Sequence, residues 1–128
     1  MDKSKLVYIC SPYRTGDVDE NVRRAREYCR LAVEEGFIPV APHLLYPQFL
    51  SDEDESQRQE GMECGLELLS VCAEVWVFDY TIESEGMNRE LDFAWKNDIP
   101  ATFMTPDKVW NEDGTYKLKM GHCRRRLG

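Results

Sequence analysis

The sequence predicts an α/β protein, a flavodoxin-like or Rossmann-like three-layer sandwich built on a mainly parallel sheet. Short apolar runs of strand length alternate along the chain with longer segments of helical periodicity. This alternation favours parallel strands joined by right-handed helical crossovers. Pro39 lies in the second apolar run, and proline in a sheet is confined mainly to edges. The predicted strand order is therefore 2-1-3-4.

The first two strands and the helix between them follow from residue type and spacing. The apolar run at 6–10 ends at a Ser-Pro pair, as a buried strand does. The next segment carries apolar residues at intervals of three and four, with Asp17 or Asp19 as its N-cap and Gly36 at its end. The second strand is predicted at 37–41.

The remaining elements continue the alternation. A second helix is predicted at about 56–72, a third strand at 74–79, a third helix at 87–97 and a fourth strand at 99–104. The inner face of the third helix is expected to carry Leu91, Ala94 and Trp95. Residues 1–104 therefore form the predicted α/β domain.

Residues 105–128 are predicted to form a C-terminal hairpin or extra strand with a basic tail, as part of the same domain. Asp113-Gly114 is typical of a tight hairpin turn. After Gly114 there are five basic residues and no acidic one. The hairpin is interpreted as a surface arm, an added strand or a dimer contact, and the Cys123–Arg126 tail as an anion-binding, subunit-pairing or disordered segment.

Composition excludes several functions. The net charge of −8 argues against nucleic-acid polymers or anionic membranes as main partners. No apolar run approaches a membrane span, and the first residues lead directly into a strand, so neither an anchor nor a signal peptide is predicted. The five cysteines form no CxxC pair, which favours a reduced, cytoplasmic protein. No metal and no cofactor is predicted, and the acidic run 52–55 is interpreted as a solvated loop or helix start.

Two loops are predicted to share one crevice. In this strand order the topological switch lies between strands one and three, where ligands bind beyond the carboxyl ends of the strands. The loops 11–16 and 79–86 meet there. The alternative for the first loop is an ordinary turn with Arg14 in solvent. The predicted substrate-binding residues are Ser11, Pro12, Tyr13, Arg14, Asp79, Ser84, Gly86 and Met87.

Glu90 is the predicted catalytic residue. It lies in the first turns of a helix that opens at the expected switch point, where a carboxylate can face a small molecule as nucleophile or general base. Glu83 and Glu85 are close in sequence, and like charges in one cleft would raise its pKa. The alternative is a surface glutamate paired with Arg89 or Lys96.

Several motifs together resemble the nucleoside 2-deoxyribosyltransferase superfamily, in particular its small uncharacterised bacterial and phage branch. They are the opening strand running into Ser11-Pro12-Tyr13, a Leu-rich helix before the strand at 73–78, and Ser84-x-Gly86-x-x-x-Glu90 with Ala94 four residues later. The resemblance covers roughly residues 5–104.

The resemblance implies a function. It implies that Glu90 attacks C1′ of a deoxyribose and displaces the base, that Ser84 and Gly86 contact the sugar or its 5′-phosphate, and that the loop 11–14 lines the base and sugar pocket. The implied activity is that of an N-glycosidic bond hydrolase or deoxyribosyltransferase. The implied partners are a nucleoside or nucleotide and further copies of the chain, in a homodimer or larger homo-oligomer.

One departure from the superfamily weakens this activity. The active enzymes carry an aspartate eight residues before the acid that opens the third strand, and this chain has Leu66 there. The general acid then comes from elsewhere, with Asp79 and Glu83 as candidates, or the chemistry is lost. The alternatives are therefore a non-catalytic binder or sensor of a nucleotide-derived ligand, and an interaction protein with an empty crevice.

Overall fold

Strands and helices alternate along the chain. A computed structural model describes residues 5–126, except for the side chains of 122–126, and within that range five strands and three helices follow one another. They are β1 (Leu6–Cys10), α1 (Val18–Glu34), β2 (Ile38–Val40), α2 (Glu55–Ser70), β3 (Glu74–Val77), α3 (Glu85–Lys96), β4 (Ala101–Trp110) and β5 (Tyr116–Arg126). Short 3₁₀ turns at Pro42–Leu44 and Tyr46–Gln48 link β2 to α2.

The strands form one sheet in the order β2-β1-β3-β4-β5. β1 pairs in parallel with β2 and β3, and β3 pairs in parallel with β4. β5 is antiparallel to β4. The predicted order 2-1-3-4 with an extra C-terminal strand is confirmed, and Pro39 lies in an edge strand. The carboxyl ends of β1 and β3 are therefore neighbours.

Helices cover both faces of the sheet, which confirms the three-layer sandwich. Side chains alternate along a strand, so successive residues contribute to opposite faces. On the α1 face, the core contains Val7, Ile9, Tyr28, Leu31, Trp76, Phe78 and Met104. On the face of α2 and α3, it contains Tyr8, Cys10, Leu69, Val75, Val77, Met87 and Ala94.

The inner face of α3 differs from the prediction. Its buried residues are Met87, Glu90 and Ala94, at spacings of three and four, whereas Trp95 is 60% exposed. Each helical residue turns about 100°, so a stripe through Glu90 and Ala94 leaves Trp95 beside it. The prediction that Trp95 lies on the inner face was wrong, because Glu90 occupies the buried stripe of the helix instead.

The C-terminal hairpin is longer than predicted. β4 continues through Trp110. The N–H of Asn111 donates to the carbonyl oxygen of Thr115 at 2.7 Å and the N–H of Gly114 to that of Asn111 at 3.2 Å, so a tight turn is present and has three residues, 112–114, rather than two. Gly114 has φ +88°, a conformation that glycine adopts without strain. The interpretation as an added strand is confirmed. The interpretation of the tail concerns side chains of residues 123–126, which lie outside the described part of the chain.

A bulge in this hairpin gives a stability prediction. Between the pairs Thr105–His122 and Asp107–Lys119 the register shifts. A Cβ added at Gly121 would lie 2.7 Å from the carbonyl oxygen of Thr105 and 2.9 Å from Oδ2 of Asp107. Because a backbone oxygen cannot yield easily, we expect Gly121→Ala to lower the free energy of unfolding by about 1–3 kcal/mol in urea denaturation.

Gly61→Ala is the matched control. Gly61 lies inside α2, and an added Cβ would lie 3.5 Å from Cδ1 of Leu50, an ordinary contact. Alanine at a helical position without a clash raises stability by up to about 1 kcal/mol. If Gly121→Ala were as stable as the parent, the close approach at the bulge would be refuted.

Candidate active site

A cavity of about 360 Å³ opens on the α2 and α3 face of the sheet, beyond the carboxyl ends of β1 and β3. That volume lies within the range of small-molecule pockets. Its lining combines the loop after β1, the 3₁₀ segment after β2, one face of α2 and the first turns of α3. The cavity thus occupies the crevice expected from the strand order.

The structure brings most of the predicted site residues together. The lining includes Ser11, Tyr13, Arg14, Ser84, Gly86, Met87 and Glu90. Pro12 is buried and is not part of the lining. Asp79 is not part of it either, and lies against a different cavity, of about 490 Å³, near α1 and the hairpin.

The placement of Asp79 follows from its backbone. Strand alternation puts Val75 and Val77 on the α2 and α3 face and would direct residue 79 the same way. Asp79 instead has φ +52°, in the left-handed region. Its Oδ2 accepts a hydrogen bond from the hydroxyl of Tyr28, on α1. The turn thus carries this carboxylate away from Glu90, and Asp79 is not placed to serve as the acid for that residue.

Glu90 is a buried carboxyl group in the floor of the cavity, with 6% of its surface exposed. The hydroxyl of Tyr8 donates a hydrogen bond to Oε2. Oε1 is buried and accepts no hydrogen bond of ordinary geometry from the described residues. Glu90 is therefore not the surface glutamate of the alternative, and Lys96 pairs instead with Asp92 at 2.9 Å.

Burial raises the pKa of Glu90 to about 7, because removal from water disfavours the charged form. Hydrogen bonds from Tyr8 and Cys10 and the charge of Arg89 lower it in part. The cause therefore differs from the prediction, in which the charges of Glu83 and Glu85 raised this pKa. Glu90 is poised to change its protonation state near neutral pH.

His43 is a site residue that the sequence interpretation missed. Its Nε2 lies 3.8 Å from Oε2 of Glu90, and its ring stacks on that of Tyr13 with centroids 5.0 Å apart. Burial lowers the pKa of His43 to about 4, so it is neutral at pH 7 and forms no ion pair with Glu90. Its position just past the end of β2 was the available signal, since loops there approach the same edge of the sheet.

Asp52 also enters the cavity, although its acidic run was interpreted as solvated. The hydroxyl of Tyr13 donates a hydrogen bond to Oδ2 of Asp52. The next residues fit the prediction: Asp54 is the N-cap of α2 and Glu55 pairs with Arg58.

The loop after β1 is held by a residue of α1. The side-chain amide of Asn21 donates to the carbonyl oxygens of Tyr13, at 2.9 Å, and Thr15, at 2.8 Å. Asn21 is buried on the apolar stripe of the helix, and a polar residue on such a stripe was the signal that could have identified it. The same helix begins after Asp17. The side chain of Asp17 accepts hydrogen bonds from the N–H groups of Asp19 and Glu20, which confirms Asp17 as the N-cap.

The N-terminus of α3 opens beside two arginine residues and carries the acidic Glu85 in its first turn. Ser84 is the N-cap, and its hydroxyl accepts from the N–H of Met87 at 3.3 Å. Arg14 and Arg89 line the same cavity and are exposed. A helix N-terminus with free N–H groups and nearby guanidinium groups favours an anionic ligand group.

Leu66 lines the cavity, so an apolar side chain occupies the place in the site where the resemblance expects an aspartate. The neighbouring acids Glu63 and Glu67 are exposed and are not part of the lining. The carboxylates among the described lining residues are Asp52, Glu85 and Glu90.

Among the side chains of residues 5–121 there is no group of three metal-ligating residues. In the same residues, no helix has the length and apolar character needed to cross a membrane.

Residues 5–104 match the family described as "Domain of unknown function (DUF7768)". The chain belongs to this family. No curated protein matches this DUF7768 chain. Its fold is similar to that of a 2-deoxyribosyltransferase from Bacillus psychrosaccharolyticus, with a TM-score of 0.58 at 15% sequence identity. That similarity covers 75% of the DUF7768 chain and 69% of the transferase, and it shows that the two share a fold.

Proposed function

We propose that the chain cleaves the N-glycosidic bond of a nucleoside or nucleotide, as a hydrolase or a deoxyribosyltransferase, with Glu90 as the nucleophile. The observation that carries this proposal is a buried carboxyl group with a pKa of about 7 in the floor of a small-molecule cavity. Perturbed titratable groups in such cavities mark catalytic sites. The fold shared with a 2-deoxyribosyltransferase supports the same reaction class.

The proposed reaction has two steps. A carboxylate oxygen of Glu90 forms a bond to C1′ as the bond from C1′ to the base breaks, and the base leaves with the bonding electrons and takes a proton from water. Water or a second base then attacks C1′ and releases Glu90, as in retaining glycosidases. Arg14, Arg89 and the N-terminus of α3 are suited to hold a 5′-phosphate.

Tyr8 is the proposed positioning residue for Glu90. Its hydroxyl is the donor that the structure provides to Oε2, and burial together with Glu90 raises the pKa of Tyr8 well above its usual range, so it stays protonated. A hydrogen bond to a charged group contributes about 1.5–3 kcal/mol. Tyr8 therefore stabilises the ionised, reactive form of the nucleophile.

We expect Tyr8→Phe to lower kcat at pH 7 by about 10-fold to 100-fold, because losing this donor raises the pKa of Glu90 further. The measurement is base release across pH 5–9, and the rising limb should move to higher pH. Tyr116→Phe is the control, since that hydroxyl donates to Glu27 at 3.0 Å, on the other side of the sheet. A Tyr8→Phe profile with an unmoved limb would contradict the positioning role.

The second candidate is a non-catalytic binder of a nucleotide-derived ligand. It is favoured by one observation, the apolar Leu66 in the lining where the resemblance expects an acid. Calorimetric titration with deoxynucleosides and their 5′-monophosphates, followed by product analysis, separates the two functions. Binding without released base would support the sensor.

We also propose that the chain acts in the cytoplasm as a homodimer or larger homo-oligomer. Leu45 and Phe49 are 48% and 63% exposed, next to the lining residues Tyr46 and Leu50. Exposed apolar side chains at the mouth of a site favour a contact with another chain.

A further inference from the structure

Asp52 differs from its acidic neighbours in position. Glu53, Asp54 and Glu55 are exposed and are not part of the cavity lining, whereas Asp52 is half-buried and lines it. One wall of the cavity is formed by lining residues between positions 50 and 66, and Leu66 and Met62 make part of it apolar. Asp52 therefore brings a carboxylate to this wall, on which Arg58 is the other charged residue.

The orientation of Asp52 is held by two aromatic residues. The Tyr13 hydroxyl donates to Oδ2, and the Tyr13 ring stacks on His43 with an angle of 2° between their planes. Burial and the Asp52 carboxylate raise the pKa of Tyr13, so this hydroxyl remains a donor. No described residue donates to Oδ1 of Asp52, and that oxygen is left for a ligand.

The other polar side chains on this wall are engaged. Gln57 accepts from the N–H of Ser51 at 2.8 Å and donates to Asp54 at 3.2 Å. Arg58 pairs with Glu55. An ionised carboxylate accepts hydrogen bonds and donates none. A base lying against Asp52 therefore meets an acceptor.

We infer that Asp52 recognises the leaving base and selects nucleobases with an exocyclic amino group over their carbonyl counterparts. This inference rests on the proposed function. A carboxylate accepts from the N4 amino group of cytosine or the N6 amino group of adenine, whereas the carbonyl oxygen at the same place in uracil or hypoxanthine repels it. The specificity resides in the loop before α2, while the nucleophile resides on α3.

Two matched substrate pairs test the inference: deoxycytidine against deoxyuridine, and deoxyadenosine against deoxyinosine, each also as the 5′-monophosphate. We expect the wild-type chain to prefer the amino member by about 10-fold or more in kcat/KM. Asp52→Asn keeps an acceptor for Tyr13 and adds an N–H donor that suits a carbonyl. In this variant the preference should fall to about one or reverse.

Asp54→Asn is the matched control, the same chemical change two residues away. Asn caps helices about as well as Asp, and Asp54 does not line the cavity, so the wild-type preference should persist. Thermal unfolding of both variants checks that they are folded. Calorimetric titration of each substrate pair into Glu90→Ala, and into the double variant Glu90→Ala with Asp52→Asn, measures the same preference as a ratio of affinities. These titrations therefore test the inference even if the chain binds nucleosides without cleaving them.

The outcomes separate this inference from the proposed function. Turnover that depends on Glu90 but shows no preference within the pairs would overturn the role of Asp52 and leave the proposed function intact. Asp52→Asn lowering both members of a pair equally would assign Asp52 a structural role and would also overturn it. If no nucleoside or nucleotide is bound or cleaved by the wild-type chain, both fail. Inverted preferences in Asp52→Asn alone would establish base recognition.

Discussion

Replacing Glu90 with alanine should lower the rate of base release from deoxynucleosides and their 5′-monophosphates by on the order of 10³-fold or more. The reason is that no other carboxylate in the described lining shares its position: Asp52 accepts from Tyr13, and Glu85 is exposed in the first turn of α3. Release of base is followed by chromatography. Ligand affinity should persist, because the arginines and the loop after β1 remain.

Asp92→Asn is the control for this loss. Asp92 lies on the same helix, is exposed, pairs with Lys96 and does not line the cavity. Turnover should be unchanged in this variant. The glycosyl adduct on Glu90, detected by mass spectrometry of acid-quenched protein, should also be unchanged. If Glu90→Ala released base as fast as the parent, Glu90 would not be the nucleophile.

Local sequence patterns were sufficient to predict the sheet and the place of the site. The run at Leu6–Cys10 is apolar throughout because β1 is covered on both faces, and Pro39 marks an edge because β2 has one neighbour. The position of Glu90 follows from the same reasoning, since α3 starts at the carboxyl end of β3. The burial of β1, the edge position of β2 and the place of Glu90 all follow from the order of the strands and helices.

Other site residues depend on the paths of loops, which short-range patterns do not encode. His43 and Asp52 reach the cavity because the 3₁₀ segment folds over it, and the pairing of Tyr13 with Asp52 spans 39 residues. Asp79 has a left-handed backbone conformation that directs its side chain away from the cavity, and its hydrogen-bond partner, Tyr28, lies 51 residues away on α1. The bulge at Gly121 likewise depends on a register that only the paired strands define.

The burial that gives Glu90 a useful pKa also carries a cost in stability. Burial favours the protonated form of this carboxyl group over its anion, and the hydrogen bonds from Tyr8 and Cys10 offset this only in part. Functional sites commonly retain such unfavourable features. Neutralising Glu90 should therefore remove activity and add stability together.

The pH dependence of stability gives the size of that cost. The pKa of Glu90 is about 7 in the folded chain against 4.5 for an ordinary glutamate. Between these values the folded chain binds a proton that the unfolded chain has lost, so the contribution of Glu90 to stability falls as pH rises and levels off above about 7. Glu90→Gln does not titrate. Its stability relative to the parent should therefore rise by about 2–3 kcal/mol from pH 5 to pH 8.

Urea denaturation at pH 5, 6, 7 and 8 measures this difference, and its change with pH is the decisive quantity because an amide at Glu90 shifts all four values by a common amount. Asp92→Asn is again the control, since an exposed pair contributes little and its difference from the parent should stay within about 0.5 kcal/mol at every pH. Parallel curves for Glu90→Gln and the parent would mean that Glu90 is ionised as readily in the fold as in water. A rising difference would instead show that burial raises the pKa of Glu90 and that its ionisation above pH 7 lowers the stability of the fold.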